Sequence, residues 1–331
     1  MLMQDNMTAS GGSTPDMEGA SEVARSSRKM NVSVIVNATA GKGCTVEWAA
    51  DLTEQFAQQG LTAHITLAKS GAEIHAGAKA AIEGGANVVV AGGGDGTINA
   101  VASQLAGTDI VLGVLPLGTL NHFAKDLGIP LELQGAVQVI ASGRRAQIDV
   151  AEVNGHLFVN NSSIGLYPQI VRHREQQQRL GRSKWNAFFW ALLSVARRFP
   201  FYRITVSIDG QEHRRTTPFV FIGNNCYTME GFHIGQRDRL DAGVLSFYSA
   251  QGIGRFGMFK LAFSALVGRL HQASNFESEL TTELTIETKR RSLRVSTDGE
   301  VNVMYAPLRY RIRAGALCVI VPSENAPGTT D

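Results

Sequence analysis

From residue 31 onward, apolar positions fall into two periods that alternate along the chain. Residues 32–36 form a β-branched run, and residues 46–59 carry Ala49, Leu52 and Phe56 on one helical face before Gly60 stops the pattern. A second strand is predicted at 62–67. Ser70 and Glu73 then spell a capping box ahead of Ile74, Ala78, Ala81 and Ile82, which line one stripe of the next helix. Residues 88–91 and 110–115 are continuous apolar runs, as in strands buried on both faces, and a helical pattern follows 92–97. Strands alternating with amphipathic helices predict an α/β fold with an N-terminal Rossmann-like, doubly wound layer on a parallel sheet.

Near residue 146 the pattern changes. Asn154-Gly155, Asp209-Gly210 and Asp298-Gly299 are hairpin turn pairs, and strands fit at 219–222, 245–248, 282–287, 308–312 and 317–321. Two helical stretches, 184–199 and 255–270, interrupt them. A mainly antiparallel β-sandwich domain is therefore expected second. The divisions read as a flexible tail at 1–29, an α/β domain at 30–145, a β-rich domain at 146–323 and a short tail at 324–331.

Composition narrows the function classes. With 44% hydrophobic and 18% charged residues the chain reads as globular, and a net charge of +2 gives no reason to expect nucleic acid. Three distant cysteines, Cys44, Cys226 and Cys318, have no metal-ligand spacing and favour a reducing compartment over a disulfide framework. The first 29 residues lack the apolar core of a secretory signal, and the most apolar helical segment, 187–196, is half the ~20 residues a bilayer span needs. Any membrane contact is expected to be peripheral. In 184–199, Trp185, Phe188, Phe189 and Trp190 lie among Lys184, Arg197 and Arg198, with Arg172, Arg174, Arg179 and Arg182 upstream. That combination suits an interfacial helix and equally a helix packed on the β domain.

The chemistry concentrates in Gly92-Gly93-Gly94-Asp95-Gly96-Thr97, between an apolar strand and a helix. Glycines let backbone N–H groups approach an anionic oxygen, and the helix N-terminus adds partial positive charge. An acid inside a phosphate cradle points to phosphoryl chemistry with a metal ion, a plain strand-to-helix turn being the other reading. The spelling matches neither a Walker loop nor the dinucleotide fingerprint. A second glycine loop, Leu115-Pro116-Leu117-Gly118-Thr119-Leu120-Asn121-His122, follows the strand at 110–115. A third, Asn37-Ala38-Thr39-Ala40-Gly41-Lys42-Gly43, follows the first strand. In a parallel sheet all three can meet at one crevice, with Lys42 either a phosphate partner or a solvated lysine.

These loops in this order, with Asp298-Gly299-Glu300 much later, resemble the diacylglycerol kinase catalytic domain family, which includes sphingosine and ceramide kinases and bacterial lipid kinases. The likeness runs from about residue 31 to 321. It implies that Gly93, Gly94, Asp95, Gly96, Thr97, Ile98 and Asn99 wrap the phosphates of ATP, that Gly118, Thr119 and Asn121 close the site, and that Asn37, Thr39 and Thr66 approach from the side. It also implies that Glu300 removes the acceptor proton while Asp95 positions Mg²⁺ or assists as base, a division the sequence leaves open; by itself Glu300 reads as a solvated hairpin residue. Departures are Ala38, Ala100 and His122 at positions where the family usually has proline, glutamate and aspartate. Asp241, in Leu240-Asp241-Ala242-Gly243-Val244-Leu245, is a candidate ligand for a structural Mg²⁺ of the kind some relatives hold. The implied activity is ATP- and Mg²⁺-dependent phosphorylation of a lipid hydroxyl, diacylglycerol giving phosphatidic acid, by a cytoplasmic enzyme at the inner membrane face. Homodimerisation is part of that expectation. Kinases of another lipid (sphingoid or glycerolipid) or of NAD, and nucleotide- or lipid-binding proteins without turnover, are the alternatives.

Overall fold

The computed structural model describes residues 31–41, 43–165, 201–227, 229–230, 233–234, 237–250 and 276–323. Strands β1 (Asn31–Asn37), β2 (Thr62–Ala68), β3 (Val88–Gly93) and β4 (Val111–Pro116) alternate with helices α1 (Val46–Gln58), α2 (Gly71–Glu83) and α3 (Asp95–Leu105). The strands pair in parallel in the order β2-β1-β3-β4. Every residue of β3 and β4 is buried, which is why both read as unbroken apolar runs. Leu52 and Phe56 of α1 and Ile74, Ala78 and Ala81 of α2 pack onto this sheet. At the start of α2, Ser70 Oγ accepts from the Glu73 amide at 3.3 Å. The Glu73 carboxylate returns to the Lys69 amide at 2.9 Å, one residue before the usual capping-box partner.

Two further helices, α4 (His122–Asp126) and α5 (Leu133–Ser142), lead into β5 (Arg144–Val153), and β6 (His156–Phe158) and β7 (Asn161–Gly165) follow. Beyond them lie β8 (Tyr202–Ile208), β9 (Gln211–Thr217), β10 (Phe219–Asn224), β11 (Met229–Glu230), β12 (His233–Ile234) and β13 (Leu245–Ala250). The described chain closes with β14 (Phe276–Thr281), β15 (Glu283–Thr288), β16 (Ser292–Thr297), β17 (Glu300–Tyr305) and β18 (Leu308–Val321). A six-stranded antiparallel sheet, β14-β13-β10-β7-β16-β17, packs Val220, Ile222, Phe247 and Val295 against Val206, Leu284, Ile286 and Leu308. This is the sandwich core. Asn154, Asp209 and Asp298 take φ of 47°, 49° and 47°, each followed by a glycine at positive φ, as two-residue hairpin turns demand. The helical stretches expected at 184–199 and 255–270 lie outside the described residues.

The two layers are less separate than the sequence pattern implies. Residues 308–312 and 317–321 belong to one strand, β18, whose register against β5 shifts between Arg313 and Leu317. The polar-to-small interruption there is a bulge. Its Gly315 amide donates to the buried Asp149 carboxylate at 2.8 Å. Past the bulge, Cys318 and Val319 pair in parallel with Val111 and Leu112 of β4, so one sheet runs β2-β1-β3-β4-β18-β15-β8-β9 through both halves. The division expected between residues 145 and 146 falls inside β5. Among the described residues no helix is long and apolar enough to cross a membrane.

Candidate active site

The C-terminal ends of β1, β3 and β4 share one side of the parallel sheet, where open α/β folds bind ligands. Gly94 caps α3 in an extended conformation, and no capping side chain accepts from the amides of the first turn. The leading amide groups of this helix are therefore open to a ligand. The Leu117 amide donates to the Gly93 carbonyl at 3.0 Å, tying the two glycine loops together. Their closeness dictates the residue type: a Cβ added to Gly118 would stand 2.4 Å from Gly94 Cα, and one added to Gly93 would stand 2.5 Å from the Thr97 side chain. Backbone touches backbone here, and a side chain would force the loops apart.

Around this turn the expected residues separate into those that build it and those that face outward. Asn37 donates from Nδ2 to Thr97 Oγ1 at 3.3 Å, while its Oδ1 accepts from the Thr39 amide and hydroxyl at 3.0 and 2.8 Å. Thr97 and Asn37 thus lock β1 to α3. Ile98 is fully buried in the α/β core and offers a ligand nothing but backbone. Asn99 is buried too, and its Oδ1 has no hydrogen-bond partner among the described residues. Asn121 sits at φ 51°, accepts from the Gly118 amide at 3.0 Å and donates to the Gly118 and Pro116 carbonyls, so it shapes its loop from within. Thr119 and Thr39 are exposed at the mouth. Thr66 is exposed on the edge strand β2, with β1 between it and β3. Lys42 lies outside the described residues.

The acids have distinct settings. Asp95 accepts from the amides of His122 at 3.3 Å and Phe123 at 3.0 Å, so it caps α4 and joins the two glycine loops by charge as well as by packing. Glu300, first residue of β17 and paired with Thr297 across the hairpin, is exposed; its carboxylate makes no hydrogen bond to a described residue and holds Oε1 within 3.7 Å of where a Gly96 Cβ would be. A carboxylate from the sandwich thus faces the α3 N-terminus. Asp298 fixes the turn that delivers it, accepting from the amides of Val159, Asn160 and Asn161 at 2.8, 2.9 and 2.9 Å. Burial pushes the Asp298 carboxyl up to about 6, outweighing those three amides and Arg237, which pull it down. Asp241 is exposed and pairs with Arg239 at 3.0 Å, which holds its carboxyl below the usual range. No group of three or more His, Cys, Asp or Glu side chains suited to a metal gathers among the described residues.

One buried cation went unread in the sequence. Arg237 is 4% exposed, bonds Asp126 of α4 through Nε at 2.8 Å and Nη2 at 2.7 Å, and donates to the Val159 carbonyl and to Asn160 Oδ1. Its guanidinium also lies 5.3 Å from the Tyr227 ring centroid. Asp95 holds one end of α4 and Arg237 the other. In the sequence Arg237 stands in Gln236-Arg237-Asp238-Arg239, which reads as a solvated charge run, because its partners lie 111 and 77 residues away.

Comparison with known proteins places these features. Residues 31–153 match the diacylglycerol kinase catalytic domain, and residues 164–321 match the YegS C-terminal NAD kinase beta sandwich-like domain. Proteins named "Probable lipid kinase YegS-like" from Yersinia pestis (strain Pestoides F) and Yersinia pseudotuberculosis serotype O:1b (strain IP 31758) are each 42% identical over 122 residues. That stretch is 34% of this chain and 40% of each relative's length. A solved structure described as a diacylglycerol kinase from Bacillus anthracis str. Sterne superimposes with a TM-score of 0.62 at 19% identity, covering 90% of this chain and 98% of the other. A second chain from that strain, a diacylglycerol kinase candidate, gives a TM-score of 0.68 at 21% identity over 90% of this chain and 99% of the other. At these identities the likeness concerns the fold.

Proposed function

We propose, from the match of residues 31–153 to the diacylglycerol kinase catalytic domain, that this chain is a lipid kinase transferring the γ-phosphate of ATP to a lipid hydroxyl, diacylglycerol being the acceptor and phosphatidic acid the product. One observation carries the reading: an uncapped, glycine-built helix N-terminus faces a carboxylate brought from the other sheet, Glu300 over Gly96. An alcohol is a poor nucleophile at neutral pH, so the acceptor needs a base on the side opposite the phosphate cradle.

The amides that open α3 receive the charge of the nucleotide phosphates, and Gly94 and Gly118 let the phosphate chain lie against backbone. Glu300 accepts the proton of the acceptor hydroxyl, the role its unpartnered carboxylate suits. Asp95, both oxygens already taking amide hydrogens, orients α4 and the second glycine loop. Asp95 and Glu300 are hard oxygen donors of the kind Mg²⁺ takes in ones and twos beside substrate phosphates, and Mg²⁺ there would neutralise charge on the transferring group. Asp241, bound to Arg239, has less to offer such an ion. The protein works peripherally at the cytoplasmic face of a membrane.

Incubation with labelled ATP, Mg²⁺ and mixed-lipid vesicles, followed by product separation, tests the proposal. Label is expected in phosphatidic acid. Label in no lipid of a broad panel would sink it, and label in NAD supplied in parallel would replace the acceptor.

A further inference from the structure

Among the described residues six large apolar side chains are strongly exposed, and three of them share one face of one strand. Val301, Val303 and Tyr305 of β17 are 58%, 64% and 64% exposed, whereas Met304 on the opposite face is 4% exposed. The other three, Val46, Leu131 and Leu280, are scattered, as single exposed apolar residues usually are. β17 is an edge strand, and its exposed face continues across β16 through Arg294 opposite Val303 and Ser292 opposite Tyr305. Arg291 lies at the same end, its carbonyl accepting from the Ala306 amide. Arg291 and Arg294 are exposed and form no ion pair with a described residue. An apolar row with unneutralised cations along its flank begins one residue from Glu300.

We propose that this hairpin face docks on an anionic lipid surface, an inference that rests on the lipid kinase reading and specifies how the site meets its substrate. Strand alternation aims the three apolar side chains the same way over about 13 Å, a shape suited to shallow insertion among headgroups. The two arginines beside them attract anionic lipid and would repel the same arginines of a second copy across a two-fold interface. Alternation turns the Glu300 side chain to the other face, but Glu300 opens the same strand one residue before Val301, so seating this face on the bilayer keeps the base beside the lipid surface. The docking face and the base are consecutive residues of one strand.

Sedimentation of the full chain with phosphatidylcholine vesicles, with and without phosphatidylglycerol, tests this. The wild type is expected to bind the anionic vesicles preferentially, the Val303→Ser/Tyr305→Ser variant to bind at least about tenfold more weakly, and Arg294→Glu to lose the preference for phosphatidylglycerol. Each variant should keep the wild-type unfolding midpoint and its phosphorylation of a short-chain, water-soluble diacylglycerol. Unchanged vesicle binding by the double variant overturns the proposal, as does a wild-type dimer that this variant dissociates without losing vesicle binding. A wild type that ignores both vesicles yet phosphorylates the soluble acceptor sinks the docking face and leaves the kinase reading standing; vesicle binding without phosphorylation of any lipid does the reverse.

Discussion

At the scale of single residues the site rests on two carboxylates in different circumstances, and substitution should separate them. Glu300→Gln keeps the shape but removes the proton acceptor, so kcat should fall about 10²- to 10⁴-fold with nucleotide affinity unchanged; steady-state kinetics with ATP binding measured in parallel checks this. Asp95→Asn weakens the acceptor for two backbone amides, so loss of transfer should come with a loosened second glycine loop, seen as faster amide exchange at His122 and Phe123. Gly118→Ala places a methyl 2.4 Å from Gly94 Cα. It should cost about 1–3 kcal/mol of stability by overpacking and weaken ATP binding as the loops separate.

Asp298 supplies the pH dependence at this scale. Its carboxyl rises from 3.8 to about 6 on burial, so between those values the folded state holds more protons than the unfolded state. Stability then falls as pH rises through that window. The contribution of protonated Asp298 is complete below pH 3.8 and gone above about 6. Subtracting the unfolding free energy of Asp298→Asn from that of the wild type should give a curve that descends across this interval and is level above it; a curve rising with pH would contradict the assignment. The glycine loops and Asp95 stand out in the sequence because their spacing is local, whereas Glu300, which alone reads as a solvated hairpin residue about 200 positions away, enters only through the family resemblance. The structure adds that Asn121 and Thr97 build the loops and that Asp298 clamps a turn through three amides, facts that depend on chain segments far apart.

Among the elements, the helices α1, α2 and α3 and the hairpin turns were read well because their signals are short-range. Ser70 is a typical example: it caps α2 at an exposed end remote from the glycine loops, so Ser70→Ala should lower stability by about 1 kcal/mol and leave kcat untouched. β18 was read as two strands because a bulge interrupts its apolar alternation at Arg313 to Leu317. Nothing local says that the chain resumes in the same direction; the Gly315 amide and the Asp149 carboxylate decide it, and they come from strands 166 residues apart. α4 is the other element whose role escapes the sequence. Five residues long, it could not persist alone, and it is held by a carboxylate at each end: Asp95 at its first amides and Asp126 on Arg237.

For the whole molecule, that second contact joins the glycine loops to the sandwich. The continuous sheet through β4 and β18 couples the same two halves mechanically, so thermal unfolding should be one cooperative transition in which the halves melt together. Arg237 is the most sensitive point of that coupling, because it is buried and its removal leaves the Asp126 carboxylate without its cation, only the residue-237 amide still donating to it. Arg237→Met should therefore cost about 3–5 kcal/mol, whereas Arg237→Met combined with Asp126→Leu should recover much of the loss by removing both charges together. A denaturant-based double-mutant cycle measures the coupling, and activity assays on the stable double variant separate folding from function. If Arg237 orients α4 toward the glycine loops, that variant will fold with a reduced kcat and a near-normal unfolding midpoint. Full activity in the double variant would assign the ion pair to stability and leave Asp95 as the sole determinant of how α4 presents its loop.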